Sequence, residues 1–134
     1  MDNYDAIGIV ERLAQALDEE DYATASACLE PDAEYDDGAR VIKGAEAILQ
    51  SFAESAERGR KTFERVIFRH EISINVPLDI RFIDILSRNG EEFALDHTTR
   101  VALSERGLVK SLQLIFPPGE RERLADFLRN TADD

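Results

Sequence analysis

Ala33-Glu34-Tyr35-Asp36-Asp37-Gly38 is the stretch whose reading decides the fold. At a period of two, Ala33, Tyr35 and Asp37 share one face and Glu34 and Asp36 the other. Gly38 supplies a turn. A short strand is therefore predicted over 33–37, with a phenol and a carboxylate side by side. Val41 and Ile42 predict a second short strand.

Upstream the period is helical. Ala6, Ile9, Val10, Leu13, Ala16 and Leu17 recur at helical spacing and predict an amphipathic helix over 4–17. Asp18-Glu19-Glu20-Asp21 reads as an acidic connection, with Asp21 placed to cap a short helix over 22–29. Pro31 is expected to end that helix. Downstream, Ala45, Ile48, Leu49, Phe52 and Ala56 form the stripe of a third helix over 44–58, with Gly59 at its C-cap. Phe52 is expected to join this helix to the sheet.

Beyond Gly59 the period changes to two. Strands are predicted over 63–76, 78–88, 92–103 and 108–116, with Pro77 interrupting the first pair. Asn89-Gly90 is the strongest hairpin signal in the chain, and Arg106-Gly107 marks another turn. The strand over 78–88 is apolar on both sides, Ile80, Phe82 and Leu86 against Ile83 and Ile85, so cover is expected on both faces. Leu124, Phe127 and Leu128 predict a docking helix over 120–129, and residues 131–134 are expected to fray. Helices first and strands later is the order of a segregated α+β domain.

The chain has 134 residues, 43% hydrophobic and 33% charged, which suits one domain over 1–134 with an ordinary core. A formal net charge of −12 argues against nucleic acid and anionic membrane surfaces as partners. The single cysteine, Cys28, forbids an intrachain disulfide and fits a reducing cytoplasm. It lies in an apolar helical stretch and reads as a buried structural thiol. No basic leader followed by an apolar run and no membrane-length apolar stretch is visible. No phosphate-cradling glycine loop or nucleophile elbow is present. Neither a metal nor a cofactor is implied.

This order of elements resembles the nuclear transport factor 2-like superfamily, which includes ketosteroid isomerase and the SnoaL-like polyketide cyclases. The resemblance runs from about Tyr4 to Phe116. It rests on Ala16-Leu17-Asp18-Glu19-Glu20-Asp21-Tyr22, Asp32-Ala33-Glu34-Tyr35-Asp36-Asp37 and Gly44-Ala45-Glu46-Ala47-Ile48. It implies a cystatin-like α+β fold: a cone-shaped, curved mixed sheet packed on N-terminal helices around a pocket, commonly dimeric. Against ketosteroid isomerase, Asp37 matches the proton-shuttling aspartate. Asp96, in Leu95-Asp96-His97, looks like the protonated aspartate of the oxyanion site. The handling of such a neutral aspartic acid in an apolar site is well documented for that enzyme. Its oxyanion tyrosine falls at Leu13 here, which cannot donate a hydrogen bond.

The candidate catalytic residues are thus Asp37, Asp96 and His97, with Tyr35, His70, Thr98 and Arg100 as candidate ligand contacts. Burial would raise an aspartate pKa and suit Asp37 to general-base work; its ordinary alternative is a turn aspartate before Gly38. The strand over 92–103 offers two face assignments. The resemblance points Asp96 inward, with Thr98 and Arg100. The apolar face, Phe93, Leu95, Val101 and Leu103, instead carries His97, and the matching faces of its neighbours carry His70 and Asp84. One bulge would exchange the two; Asp96 inward is adopted as the expectation. The resulting reading is a SnoaL-like small-molecule-binding domain for a largely apolar organic ligand. It acts as a cofactor-independent isomerase, cyclase or dehydratase using acid–base carboxylates, or alternatively as a non-catalytic ligand-binding or dimerisation module. Apolar residues on both faces of the long strands point to a homodimer.

Overall fold

The computed structural model describes residues 3–73 and 78–132, with side chains from Asp5 onward. The elements are α1 (Asn3–Asp18), α2 (Tyr22–Ala27), β1 (Leu29–Asp36), β2 (Val41–Lys43), α3 (Ala45–Thr62), β3 (Arg65–Ser73), β4 (Leu78–Arg88), β5 (Glu91–Leu103), β6 (Val109–Ile115) and α4 (Glu120–Asn130). The expected interruption at Pro77, and the last residues of the strand before it, lie outside the described residues.

The six strands form one curved sheet in the order β2-β1-β6-β5-β4-β3. Only β1 and β6 run parallel; the other pairs are antiparallel, so the sheet is mixed as expected. Asn89 and Gly90 both take positive φ, 51° and 76°, which the tight β4–β5 hairpin requires. The first helices pack on one side of the sheet. Val10 and Leu13 of α1, Ile48 of α3, Ile80 of β4 and Val109 of β6 are fully buried together. Leu13, at the place of the missing tyrosine, is thus a core residue. Cys28 is buried in the same cluster, its thiol against the Thr24 carbonyl. A second cluster gathers Leu86, Phe93 and Phe127, with Phe63, Val66, Leu95 and Leu124 against it.

Several boundaries differ from expectation for identifiable reasons. Asp21 caps α2 as predicted, accepting from the Thr24 amide and hydroxyl. But α2 stops at Ala27, and Pro31 lies within β1. The β1–β6 register shifts between Leu29 and Glu34, so Pro31 sits where the ladder does not need its missing N–H. Gly59 is inside α3 rather than at its cap, and the helix runs on to Thr62. A Cβ there would meet the Val66 side chain of β3 at 3.7 Å, an ordinary contact, so nothing in the packing requires glycine at this place. Thr131 is buried rather than frayed. Its hydroxyl donates to the Phe127 carbonyl at 2.7 Å, and its own carbonyl accepts from the Asn89 side chain.

Phe52 is only partly buried and stacks on Tyr35, whereas Ile48 is fully enclosed. Ile48→Ala should therefore lower the unfolding free energy by about 2–5 kcal/mol, and Phe52→Ala by less than Ile48→Ala. Urea denaturation of the two variants checks the order.

Candidate functional site

A cavity of about 560 Å³ opens between the concave face of the sheet and helices α1, α3 and α4. Its wall is mainly apolar and aromatic, with Leu17, Phe52, Phe63, Phe68, Phe82 and Phe116 among its residues. Its ionisable members are Asp18, Asp37, Asp84, His97 and Arg58, with the phenols of Tyr22 and Tyr35.

The β4–β5 ladder decides this membership. Leu78 to Arg88 pair with Val101 to Glu91 without a register shift. Alternation then holds throughout: Phe93, Leu95, His97 and Thr99 face the cavity side, and Ala94, Asp96, Thr98 and Arg100 the convex side. The inward placement of Asp96 is therefore overturned, and with it that of Thr98 and Arg100. The apolar face of the strand is the one that lines the pocket.

Asp96 is held by Arg81 across the strand, with Arg81 Nε 3.0 Å from Oδ1 and Nη2 2.7 Å from Oδ2. Arg81 also reaches Glu71 at 3.2 Å. The guanidinium bond keeps the Asp96 carboxyl below its ordinary value against the opposing effect of burial. That is opposite to the neutral acid an oxyanion donor requires. The Asp96 backbone N–H donates to Glu120 at 2.7 Å. The β5–β6 pairing begins only at Thr98, so this buried carboxylate from α4 takes the acceptor place that β6 does not reach. Arg100 makes a similar two-point pair with Asp79, at 3.0 and 3.2 Å.

On the concave face, His97 lies between Phe82 and Phe116, with ring centroids 5.5 and 5.8 Å away. Its Nε2 is 2.9 Å from Asp84 Oδ2, two residue pairs along the ladder on the same face. Its Nδ1 is buried with no hydrogen-bond partner. A second pair joins His70 Nδ1 to Asp18 Oδ2. His70 follows Val66 and Phe68 on the cavity side of β3, and it meets the wall through Asp18, which lines it. Asp18 Oδ1 is likewise buried without a partner. Burial pushes the Asp18 carboxyl above its ordinary value. The bond and charge of His70 oppose this, and the charge of Asp84 adds to it.

Tyr35 and Asp37 both reach the wall from β1 and the turn after it. Tyr35 is 6% exposed and stacks on Phe52 at 5.0 Å. Burial, helped by the charges of Asp37 and Asp36, pushes its phenol up to about 12, so it stays a proton donor at neutral pH. Asp37 is different from expectation. Its Oδ1 accepts the Ala39 and Arg40 amides at 2.9 and 2.8 Å, an Asx turn. Those bonds hold its carboxyl below the ordinary value, so burial does not tune it as a base.

Of the residues expected at the site, the cavity wall brings together Tyr35, Asp37 and His97. His70 stands behind Asp18, and Asp96, Thr98 and Arg100 lie on the far face. In the sequence Asp18 reads as part of an acidic connection. Its signal was its position four residues after Ala14, on the buried stripe of α1. Among the described residues no group of three or more His, Cys, Asp or Glu is placed to hold a metal, and no helix is long and apolar enough to cross a membrane.

Comparison with known proteins bears on the fold. No protein-family model and no curated protein sequence matches the chain. Solved structures do. TerC, co-crystallized with polyporic acid, matches with 12% identity and a TM-score of 0.70, covering 93% of this chain and 98% of that one. A proposed SnoaL-like polyketide cyclase from Shewanella putrefaciens CN-32 matches with 15% identity and a TM-score of 0.68, covering 93% and 86%. A nuclear transport factor 2-like protein of unknown function from Cytophaga hutchinsonii ATCC 33406 matches with 18% identity and a TM-score of 0.58, covering 89% and 94%. The chain has the nuclear transport factor 2-like fold.

The carboxylates should separate in an NMR titration, with Asp18 above the usual value of about 3.9 and Asp37 and Asp96 below it. The linked stabilities have opposite signs. For Asp96 the stabilisation is present above the unfolded value and is lost as pH falls through the folded one. For Asp18 a penalty is present above the folded value and is relieved as pH falls through it. Arg81→Met should return Asp96 toward the ordinary value.

Proposed function

We propose that the cavity binds a small, largely apolar organic molecule in the SnoaL-like manner and moves a proton on it without a cofactor. The observation that carries this reading is the pair of histidine–aspartate couples, Asp84–His97 and Asp18–His70, set into an otherwise apolar wall. An ionised Asp84 can only accept, so His97 donates from Nε2 and keeps its lone pair on Nδ1. A carboxylate that orients an imidazole in this way makes it a general base. Tyr35 supplies a neutral donor for a substrate oxygen. Asp37 fixes the turn at the mouth, its second oxygen 3.9 Å from Arg40 Nε.

Isomerisation, cyclisation and dehydration all need this division between an acid and a base. The names of the structural neighbours, polyketide cyclases and a polyporic acid complex, support an organic ligand. The alternative of a non-catalytic binding module is favoured by the Asx turn that occupies Asp37. Homodimerisation through the convex face completes the proposal. There Ile67, Ile83 and Ile85 stand partly exposed among the Arg81 and Arg100 ion pairs. The lone buried Cys28 suits the reducing cytoplasm.

The neutral aromatic 5-nitrobenzisoxazole, whose ring opens on removal of one proton, is a general probe for a base in an apolar pocket. The protein should open it with saturation, and His97→Gln should lower the rate by about 10²–10⁴-fold while the probe still binds. Saturable binding with no turnover would select the non-catalytic module. No binding would remove the ligand site altogether.

Sedimentation at micromolar concentration should give about twice the chain mass of 15.1 kDa. Ile83→Arg should shift the protein toward monomer, and a wild-type monomer would refute the convex-face interface.

A further inference from the structure

Two buried side-chain atoms lack a hydrogen-bond partner among the described residues: Asp18 Oδ1 and His97 Nδ1. Both belong to residues on the wall of the same cavity. Buried polar atoms in folded proteins are nearly always satisfied, so these two mark places where a ligand or a water completes the structure. Both are acceptors. A carboxylate oxygen accepts, and His97 Nδ1 holds a lone pair once Nε2 donates to Asp84. What the wall lacks is therefore hydrogen, and a ligand carbonyl or ether cannot supply it. A hydroxyl brings one donor and a protonated amine brings up to three.

The charges on the wall make the same selection. Each couple sets one carboxylate against one imidazole, so neither leaves an uncompensated positive charge on the wall. Asp37 adds a carboxylate at the mouth, kept ionised by its turn amides and set against two exposed guanidiniums, Arg40 at 3.9 Å and Arg121. Among the described residues, the guanidinium on the wall is that of Arg58, which is exposed on α3. Arg121, stacked on Phe116 at 4.7 Å, lies outside that wall. An organic anion thus finds no buried cation, whereas a cation finds Asp18 and Asp84, each backed by an imidazole. The faces of Tyr35, Phe52, Phe82 and Phe116 favour positive charge as well.

From these two independent observations we infer that the preferred ligand class is an amphipathic amine: an apolar, ring-sized body carrying a protonated nitrogen. The ammonium is held by Asp18, His97 and Asp84, and the body lies against the aromatic wall. This inference rests on the reading of the cavity as a ligand site, and it specifies what that site selects.

Three probes of one shape test it on the full chain by calorimetry at pH 7.5: 2-(aminomethyl)naphthalene, 2-naphthalenemethanol and 2-naphthoate. The amine should bind at least about tenfold tighter than the alcohol, equivalent to 1.4 kcal/mol, and the naphthoate weakest. Asp84→Asn and Asp18→Asn should each bring the amine-to-alcohol ratio close to one; two variants are used in case one fails to fold, which circular dichroism reports. In 0.5 M salt the wild-type ratio should persist, because attraction by the overall −12 charge is screened while a buried contact is not. An alcohol that binds as tightly as the amine, a naphthoate that binds best, or a preference that survives both substitutions would overturn the amine inference and leave the ligand site standing. Failure of all three probes to bind would instead overturn the ligand site itself.

Discussion

The unbroken register between β4 and β5 is the constraint on which the site depends. Eleven residues of β4 pair in sequence with β5, and a period of two then sorts every side chain without exception. A slip of one residue would exchange His97 for Asp96 and Asp84 for Ile83 or Ile85. The cavity would then lose its histidine couple and receive the Arg81 ion pair. The Asn89-Gly90 turn sets that register, because only residues tolerant of positive φ close a hairpin so tightly. The irregularities in the sheet fall elsewhere, between Ala102 and Leu103 of β5 and within β1. They curve the sheet without disturbing the residues that face the cavity.

The same alternation gives chemically equal groups unequal environments. Asp96 and Asp84 are both strand aspartates, and both are paired. On the convex side, Asp96 meets a half-exposed guanidinium in a setting where water screens the pair. On the concave side, Asp84 is 16% exposed and its partner is an imidazole. An imidazole can take up or release a proton near neutral pH, and a guanidinium cannot. The convex pairs therefore set a guanidinium beside the carboxylate and the concave couples an imidazole, and that difference, rather than the number of carboxylates, distinguishes the cavity face of the sheet.

Much of the fold is legible in the sequence, because it is carried by periodicity. The stripe of α1, the α3 stripe through Ile48 and Phe52, the four long strands and the Asn-Gly hairpin all follow from local patterns. The site is less legible, because it depends on facing. Phe93, Leu95, Val101 and Leu103 pointed to the lining face of β5, and His97 shared it. Placing Asp96 inward by its likeness to an isomerase aspartate set that pattern aside. Asp18 was obscured in an acidic run, although its spacing from Ala14 put it on the buried stripe. Pro31 is illegible because its place is set by a partner strand remote in sequence, β6, and Gly59 because the contacts that extend α3 to Thr62 are not local.

The cavity is more than a gap in a poorly packed core. Its wall draws on two separate apolar clusters. Leu17, Phe52 and Leu114 belong with the main core, and Phe63, Val66, Leu95 and Leu124 with the cluster around Phe127. Each cluster is internally anchored, the second by the Phe93 and Phe63 contacts of Phe127 and by the bond of Glu120 to the Asp96 amide. Collapse of the cavity would require one cluster to move onto the other. It would also press Asp18 and Asp84 into apolar surroundings, where a charged carboxylate is strongly disfavoured. The buried couples thus keep the space open as well as furnish it. Asp18 both resists closure and carries an acceptor atom without a partner among the described residues, so a ligand that donates to it would stabilise the fold directly.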